Sequence, residues 1–217
     1  MNIPAVTPAK INQYTDKFNC FLDPNVEELW QAAIQRSDIL PCIQKDTAFI
    51  LQLLIQLLQP QRILELGTGV GVSTLIMASV LPEAGHIVTV ERSSTFAAEA
   101  EQNFKQYGMS ERITLYVRDA VELVPELTSQ FDLIFQDSGK QTYVPTLDYL
   151  VELLNPGGFL LADDTLFPAM ELPDRNRNSQ RVIDQFNNAV RQHPLLESYI
   201  LPIGHGLTIA RKISEKY

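Results

Sequence analysis

Two apolar runs end in carboxylates. Phe131-Asp-Leu-Ile-Phe-Gln-Asp137 leads into Ser138-Gly139-Lys140, and Gly158-Phe-Leu-Leu-Ala-Asp163 leads into Asp164. An acid at the end of a buried strand is costly unless it binds something. In an open α/β sheet, the carboxyl ends of parallel strands form the ligand crevice. Three carboxylates and a lysine at one crevice point to a divalent cation with a base beside it, because oxygen ligands suit hard cations. Blander roles exist for each: Asp137 as a helix cap, Asp163 and Asp164 as turn residues, and Lys140 as a solvated loop lysine.

A second constellation is Ile63-Leu-Glu-Leu-Gly67-Thr-Gly69-Val-Gly71-Val-Ser73. Here a buried strand breaks into glycines and then a helix, whose N-terminus presents free N–H groups. Glu91 closes the next strand, where a carboxylate can accept hydrogen bonds from a ribose diol. The dinucleotide fingerprint is Gly-x-Gly-x-x-Gly; here the third glycine comes one place early and Val72 follows it. Glu65 sits two residues before the turn and would oppose a pyrophosphate. It suits a ligand bearing an ammonium, directly or through water. S-adenosylmethionine has an amino group, a sulfonium and a ribose, with no phosphate, and fits this turn better than a dinucleotide. A glycine turn without a ligand is the remaining alternative.

The elements that position these residues follow from periodicity. Asp23-Pro24 starts a helix reaching about Ser37, and a second covers about Lys45–Leu58 until Pro60 ends it. Strand-like runs at 62–66, 86–91, 113–117, 131–136 and 159–163 alternate with helical stretches at about 72–81, 95–107, 120–127 and 143–154. Such alternation predicts an α/β fold with a mainly parallel sheet covered by helices on both faces. A helix near 179–192 precedes two strand-like runs, 197–203 and 207–212, joined through Gly204-His-Gly206; these predict an antiparallel C-terminal hairpin. Residues 1–23 read as an irregular arm, and 167–178 as a surface loop near the crevice. Tyr143 and Trp30 read as packing residues, with an oligomer contact as the other role for Trp30.

The chain has 217 residues, 45% of them hydrophobic, enough for one domain with a full core. We divide it into an arm and helix (1–43) and a catalytic core (44–213). Seventeen Lys and Arg against 26 Asp and Glu give a net charge of -9, which opposes nucleic-acid binding. Cys20 and Cys42 lack metal spacing and make no disulfide framework, so they read as partly buried thiols in a reducing compartment. No signal-peptide pattern or bilayer-length apolar run stands out, which makes a cytoplasmic protein with no membrane partner the expectation.

Together, Glu65-Leu-Gly-Thr-Gly-Val-Gly71, Glu91, Asp137-x-x-Lys140-x-x-Tyr143, Asn155-Pro-Gly-Gly158 and Asp163-Asp164-Thr-Leu166 resemble the cation-dependent O-methyltransferases. That family contains the catechol and caffeoyl-coenzyme A O-methyltransferases and small bacterial relatives. Phe186-Asn187 and Leu201–Lys212 are similar to its C-terminal segment, so the resemblance covers about residues 40–213. It implies a Rossmann-like class I methyltransferase fold with a seven-stranded sheet. By this resemblance Gly67, Gly69 and Ser73 line the methionine end of S-adenosylmethionine, Glu91 holds its ribose, and Asp119 and Ala120 lie by its adenine. Asp137, Asp163 and Asp164 ligate a divalent cation of the Mg²⁺, Mn²⁺ or Ca²⁺ type, Asp137 and Glu65 also count among the donor-binding residues, and Lys140 is the general base. The acceptor implied is a small aromatic with adjacent hydroxyls, and the assembly implied is a homodimer. Two positions depart from the family: Asp164 replaces Asn, adding a negative charge, and His205 replaces Asp. The rival readings are a nicotinamide-dependent oxidoreductase and a donor-binding relative without turnover.

Overall fold

The computed structural model describes residues 7–39 and 42–213. Seven strands form one sheet in the order β3-β2-β1-β4-β5-β7-β6, with β1 at Arg62–Leu66, β2 at His86–Glu91, β3 at Ile113–Val117, β4 at Phe131–Gln136, β5 at Leu154–Ala162, β6 at Leu196–Leu201 and β7 at Leu207–Lys212. The first five are parallel, and β7 runs antiparallel to both β5 and β6. This is the expected mainly parallel sheet ending in a hairpin.

The central strands are largely apolar because both faces are covered, whereas the edge strands β3 and β6 are partly exposed. Ile63, Leu133 and Phe135 pack with one helical layer, and Leu64, Leu66 and Ile134 with the other. The first layer comprises α2 (Pro24–Ile34), α3 (Lys45–Leu58), α4 (Val72–Ala78) and α5 (Ser94–Gln106). The second comprises α6 (Ala120–Leu123), α7 (Tyr143–Leu153) and α8 (Arg177–Gln192). Among the described residues, no helix is long and apolar enough to cross a membrane.

The boundaries correct several expectations. The arm is not irregular throughout: Pro8–Thr15 form helix α1, started by Thr7, whose carbonyl accepts from Lys10 and Ile11 N–H. Residues 1–6 of the expected arm lie outside the described residues. Strand β5 begins at Leu154 rather than Phe159, with a register irregularity opposite Phe131–Leu133 that accommodates Pro156 at the sheet. The stretch expected as a helix over 120–127 is α6 followed by a tight turn at Val124–Glu126, where Pro125 interrupts the α-helical hydrogen bonds. Helix α4 stops at Ala78, and α8 starts at Arg177, inside the expected surface loop.

Trp30 is buried and belongs to the core; its indole N–H donates to the Ile43 carbonyl at 2.8 Å. Cys20 is exposed, contrary to the expected partial burial, whereas burial pushes the Cys42 thiol up to about 11.

Candidate active site

The carboxyl ends of β1, β2, β4 and β5 open into one cavity of about 360 Å³. At one end the chain turns sharply out of β1 through Gly67, with φ at +103°. The turn cannot carry a side chain: a Cβ on Gly67 would lie 2.3 Å from the Asp137 carbonyl oxygen. Gly67 N–H donates to the Val90 carbonyl and Asp137 N–H to the Leu66 carbonyl, so the glycine turn and the end of β4 are locked together. Gly69, Ser73, Glu91, Asp119 and Ala120 all line this end. Glu91 accepts from Gly69 N–H at 2.9 Å and from Ser93 N–H at 2.8 Å, which holds its carboxylate at the cavity wall. Asp119 caps α6 by accepting from Val121 N–H.

Glu65 is brought near the turn but does not line the cavity; it is fully buried beneath it. Ser73 Oγ donates to Glu65 Oε1 and Thr89 Oγ1 to Oε2, each at 2.6 Å, and Thr74 Oγ1 also donates to Oε2. Its influence on a ligand therefore passes through Ser73, which lines the cavity. Burial raises the Glu65 pKa from 4.5 to about 7, with the three hydroxyl donors pulling it down and the Asp137 charge adding to the rise. A carboxyl harder to ionise in the fold than in the unfolded chain favours folding below the unfolded pKa. That advantage is lost as pH rises from about 4.5 to about 7, a loss of about 3 kcal/mol. Glu65→Gln should remove this component of the pH slope, so the wild-type minus variant difference in unfolding free energy should fall between pH 5 and 7.5. Denaturant titrations at each pH measure it; a flat difference defeats the assignment.

Lys140, Asp137, Asp163 and Asp164 line the same cavity, with Asp137 abutting the Gly67 turn. Lys140 Nζ lies 3.2 Å from Asp137 Oδ1, 2.8 Å from Asp164 Oδ2 and 2.8 Å from the Tyr143 hydroxyl. It also lies 4.8 Å from the Tyr143 ring centroid and 5.8 Å from that of Phe167. Burial disfavours the lysine's charge, but Tyr143, Asp137 and Asp164 outweigh it and hold its pKa well above the usual value. Burial raises Asp137 to about 6 against the pull of Lys140, and the Asp164 charge adds to the rise. Asp163 is pushed well above the carboxylate range by burial and by the charges of Asp137 and Asp164. Burial also opposes charge on Asp164, yet its hydrogen bond to His205 and the Lys140 charge keep its pKa below the usual value.

The residues fit a hard divalent cation by their chemistry. All three side chains offer only oxygen, three acids face one lysine, and Asp163 Oδ1 is buried with no hydrogen-bond partner. The carboxylates are not converged on one point: among the described residues no cluster of three or more His, Cys, Asp or Glu is spaced as a ready cage. Asp137 and Asp164 turn instead toward Lys140, and Asp164 also toward His205.

Several lining residues escaped sequence reasoning. The arm before residue 44 and the 167–178 loop are expected to govern acceptor choice, but the sequence singles out none of their residues; Ile39, Cys42 and Ile43 from the arm and Phe167 from the loop line the cavity, as do Gln44 and Phe96. Nothing in the local sequence of 39–44 marks it as part of a site; only its position after α2 could have. His205 lines the cavity too, with Nδ1 3.0 Å from Asp164 Oδ1, so the two departures from the family pattern touch each other. Its turn is held from two sides: Gly204 N–H donates to Asp46 Oδ2 at 2.8 Å, and Leu166 N–H donates to the His205 carbonyl at 2.8 Å.

The profile described as O-methyltransferase matches residues 19–213. A catechol O-methyltransferase from Niastella koreensis is 36% identical over 120 residues, and the match spans only about half of each chain, 54% in both. The tapetum-specific methyltransferase 1 of Arabidopsis thaliana is 27% identical over 200 residues, covering 87% of this chain and 86% of that protein. Among solved structures, an SAH-bound Podospora anserina methyltransferase superposes with a TM-score of 0.86 at 23% identity, covering 98% of this chain and 100% of the other. That likeness shares the fold, a class I methyltransferase sheet. With a glycine turn and an acid–lysine cluster facing one cavity, and a family match across nearly all of the described chain, this protein belongs to the O-methyltransferase family.

Proposed function

We propose that this protein transfers the methyl group of S-adenosylmethionine to one hydroxyl of a small aromatic that carries two adjacent hydroxyls. The observation that carries this reading is the one cavity that the Gly67 turn and Glu91 share with Lys140, Asp137, Asp163 and Asp164. Donor and acceptor held in one such space react as if in one molecule.

Glu91 retains lone pairs for the ribose hydroxyls, and Asp119 and Ala120 border the adenine. Ile39, Ile43 and Phe167 offer apolar surface to an aromatic ring. Asp137, Asp163 and Asp164 would hold a divalent cation, Mg²⁺ first and Mn²⁺ or Ca²⁺ as alternatives. When bound, that cation supplies Lewis-acid polarisation of the acceptor hydroxyl. Sharing the charge of Asp137 and Asp164 with a cation weakens their hold on the Lys140 proton. Once that proton has left to solvent, the neutral Lys140 amine takes the proton of the acceptor hydroxyl. The acceptor oxygen then bonds to the methyl carbon, and the carbon–sulfur bond breaks with its electron pair left on sulfur. A homodimer in the cytoplasm is part of the same proposal. Exposed Phe18, Leu22, Leu53 and Leu57 offer apolar surface for association, and light scattering in solution measures it. With a net charge of -9, neither a nucleic acid nor a membrane surface is a proposed partner.

The test is methyl transfer from labelled S-adenosylmethionine to catechol, caffeoyl-ester and flavonoid acceptors, with Mg²⁺ and with excess chelator. Turnover on at least one vicinal diol is expected, falling at least 100-fold in chelator and returning with Mg²⁺. Undiminished turnover in chelator defeats the cation role. Binding of a nicotinamide dinucleotide in place of S-adenosylmethionine in a calorimetric titration favours the oxidoreductase reading instead.

A further inference from the structure

Tyr143 is completely buried and does not line the cavity, yet its hydroxyl touches Lys140, which does. The phenol O–H donates to two backbone carbonyls, Gln136 at 3.1 Å and Asp163 at 3.0 Å. These are the last residue of β4 and the first residue after β5. With its one hydrogen shared between them, the phenol oxygen can offer Lys140 Nζ only a lone pair, across 2.8 Å. An ammonium has three N–H donors, and the lysine's three partners are Tyr143, Asp137 and Asp164. The two carboxylates end side chains that are part-exposed, whereas the phenol is fixed in the core and meets Phe186 edge-on at 5.1 Å.

We propose that Tyr143 is a positioning residue, the fixed point that aims the Lys140 amine at the acceptor end of the cavity. This rests on the reading of Lys140 as the proton acceptor. A lysine stem has four flexible carbons, and its two acidic neighbours are the groups proposed to hold a cation. Tyr143 alone among the three partners is free of any other proposed duty at the site. Because its hydroxyl also bridges the carbonyls at the ends of β4 and β5, the lysine is referenced to the same two strands that carry the acids.

The experiment is Tyr143→Phe, alone and in a Lys140→Ala background, assayed with S-adenosylmethionine, Mg²⁺ and the best acceptor of the panel. In the otherwise native chain kcat should fall about 10- to 100-fold, since a displacement of an ångström has that scale of effect. Acceptor KM and calorimetric donor Kd should stay within about twofold. In the Lys140→Ala background the residual rate should not fall further, because the residue acts only through the lysine. Unchanged kcat, or an equal loss in both backgrounds, overturns the proposal and leaves a packing role. Should Tyr143→Phe fail to fold, 3-fluorotyrosine at position 143 keeps the ring and the carbonyl bonds while weakening the oxygen as an acceptor. A kcat change of at least twofold at constant KM supports the proposal, and an unaltered kcat overturns it. Full turnover in Lys140→Ala defeats the base reading itself, a result distinct from an unaffected Tyr143→Phe.

Discussion

Lys140→Ala should lower kcat for methyl transfer by about 10²- to 10⁴-fold, the range lost with a positioned proton-transfer group. Donor affinity should be retained, because Lys140 is held by Asp137, Asp164 and Tyr143 and not by Glu91 or the glycine turn. The informative control is the metal titration. Lys140 sits against Asp137 and Asp164 as their counter-charge, so its removal leaves two acids with one fewer positive neighbour. If the lysine served only to neutralise them, saturating Mg²⁺ would take over that task and restore the rate. A proton acceptor cannot be replaced in this way, so the rate should stay low at every Mg²⁺ concentration. Steady-state kinetics across a Mg²⁺ series separate the two outcomes, and recovery to within threefold of wild type would sink the catalytic role.

The second large effect is on folding. Gly67→Ala should destabilise the protein by about 3 kcal/mol or more and weaken donor binding in whatever fraction stays folded. The backbone there has φ at +103°, where an L side chain is strained by about 1–3 kcal/mol. The new Cβ would stand 2.3 Å from the Asp137 carbonyl oxygen, forcing β1 and β4 apart at their ends, and overpacking of that kind adds about 1–3 kcal/mol. Gly69→Ala is the contrast: φ is positive at +53°, but nothing lies within 4 Å of a Cβ, so only the backbone term applies. Chemical denaturation of the two variants measures the difference, and equal losses would remove the steric role assigned to the Asp137 carbonyl.

The sheet was legible because its strands are buried on both faces, so runs such as Leu-Ile-Phe at 133–135 and Phe-Leu-Leu-Ala at 159–162 need no alternation to be recognised. The start of β5 was not, since Asn155-Pro-Gly-Gly158 has the composition of a turn and joins the sheet only through an irregular register opposite Phe131. Helix α1 was missed for a different reason: eight residues, mostly polar, carry too little apolar periodicity to announce a helix. Within the cavity, the strand-end acids and Lys140 were readable because an acid terminating an apolar run is an anomaly on its face. Glu65 was readable as unusual, but only packing reveals that it lies beneath the turn and reaches the cavity through Ser73. The lining by Ile39, Cys42, Ile43 and Gln44 and the approach of His205 to Asp164, 41 residues away in the chain, depend on tertiary packing that no local spacing encodes.

The bond from Gly204 N–H to Asp46 has a consequence for anyone recombining this protein with its relatives. It clasps the first turn of α3 to the hairpin that carries His205, and Gly204 is packed so closely that a Cβ there would meet Thr47 Oγ1 at 2.5 Å. The cavity wall just before α3 and the hairpin turn thus form one cassette written in two places, 158 residues apart along the chain. A chimera that imports 39–47 from another sequence while keeping the native 203–206 would mate two halves shaped for different partners. Exchange of acceptor preference by segment swapping should succeed only when both halves travel together.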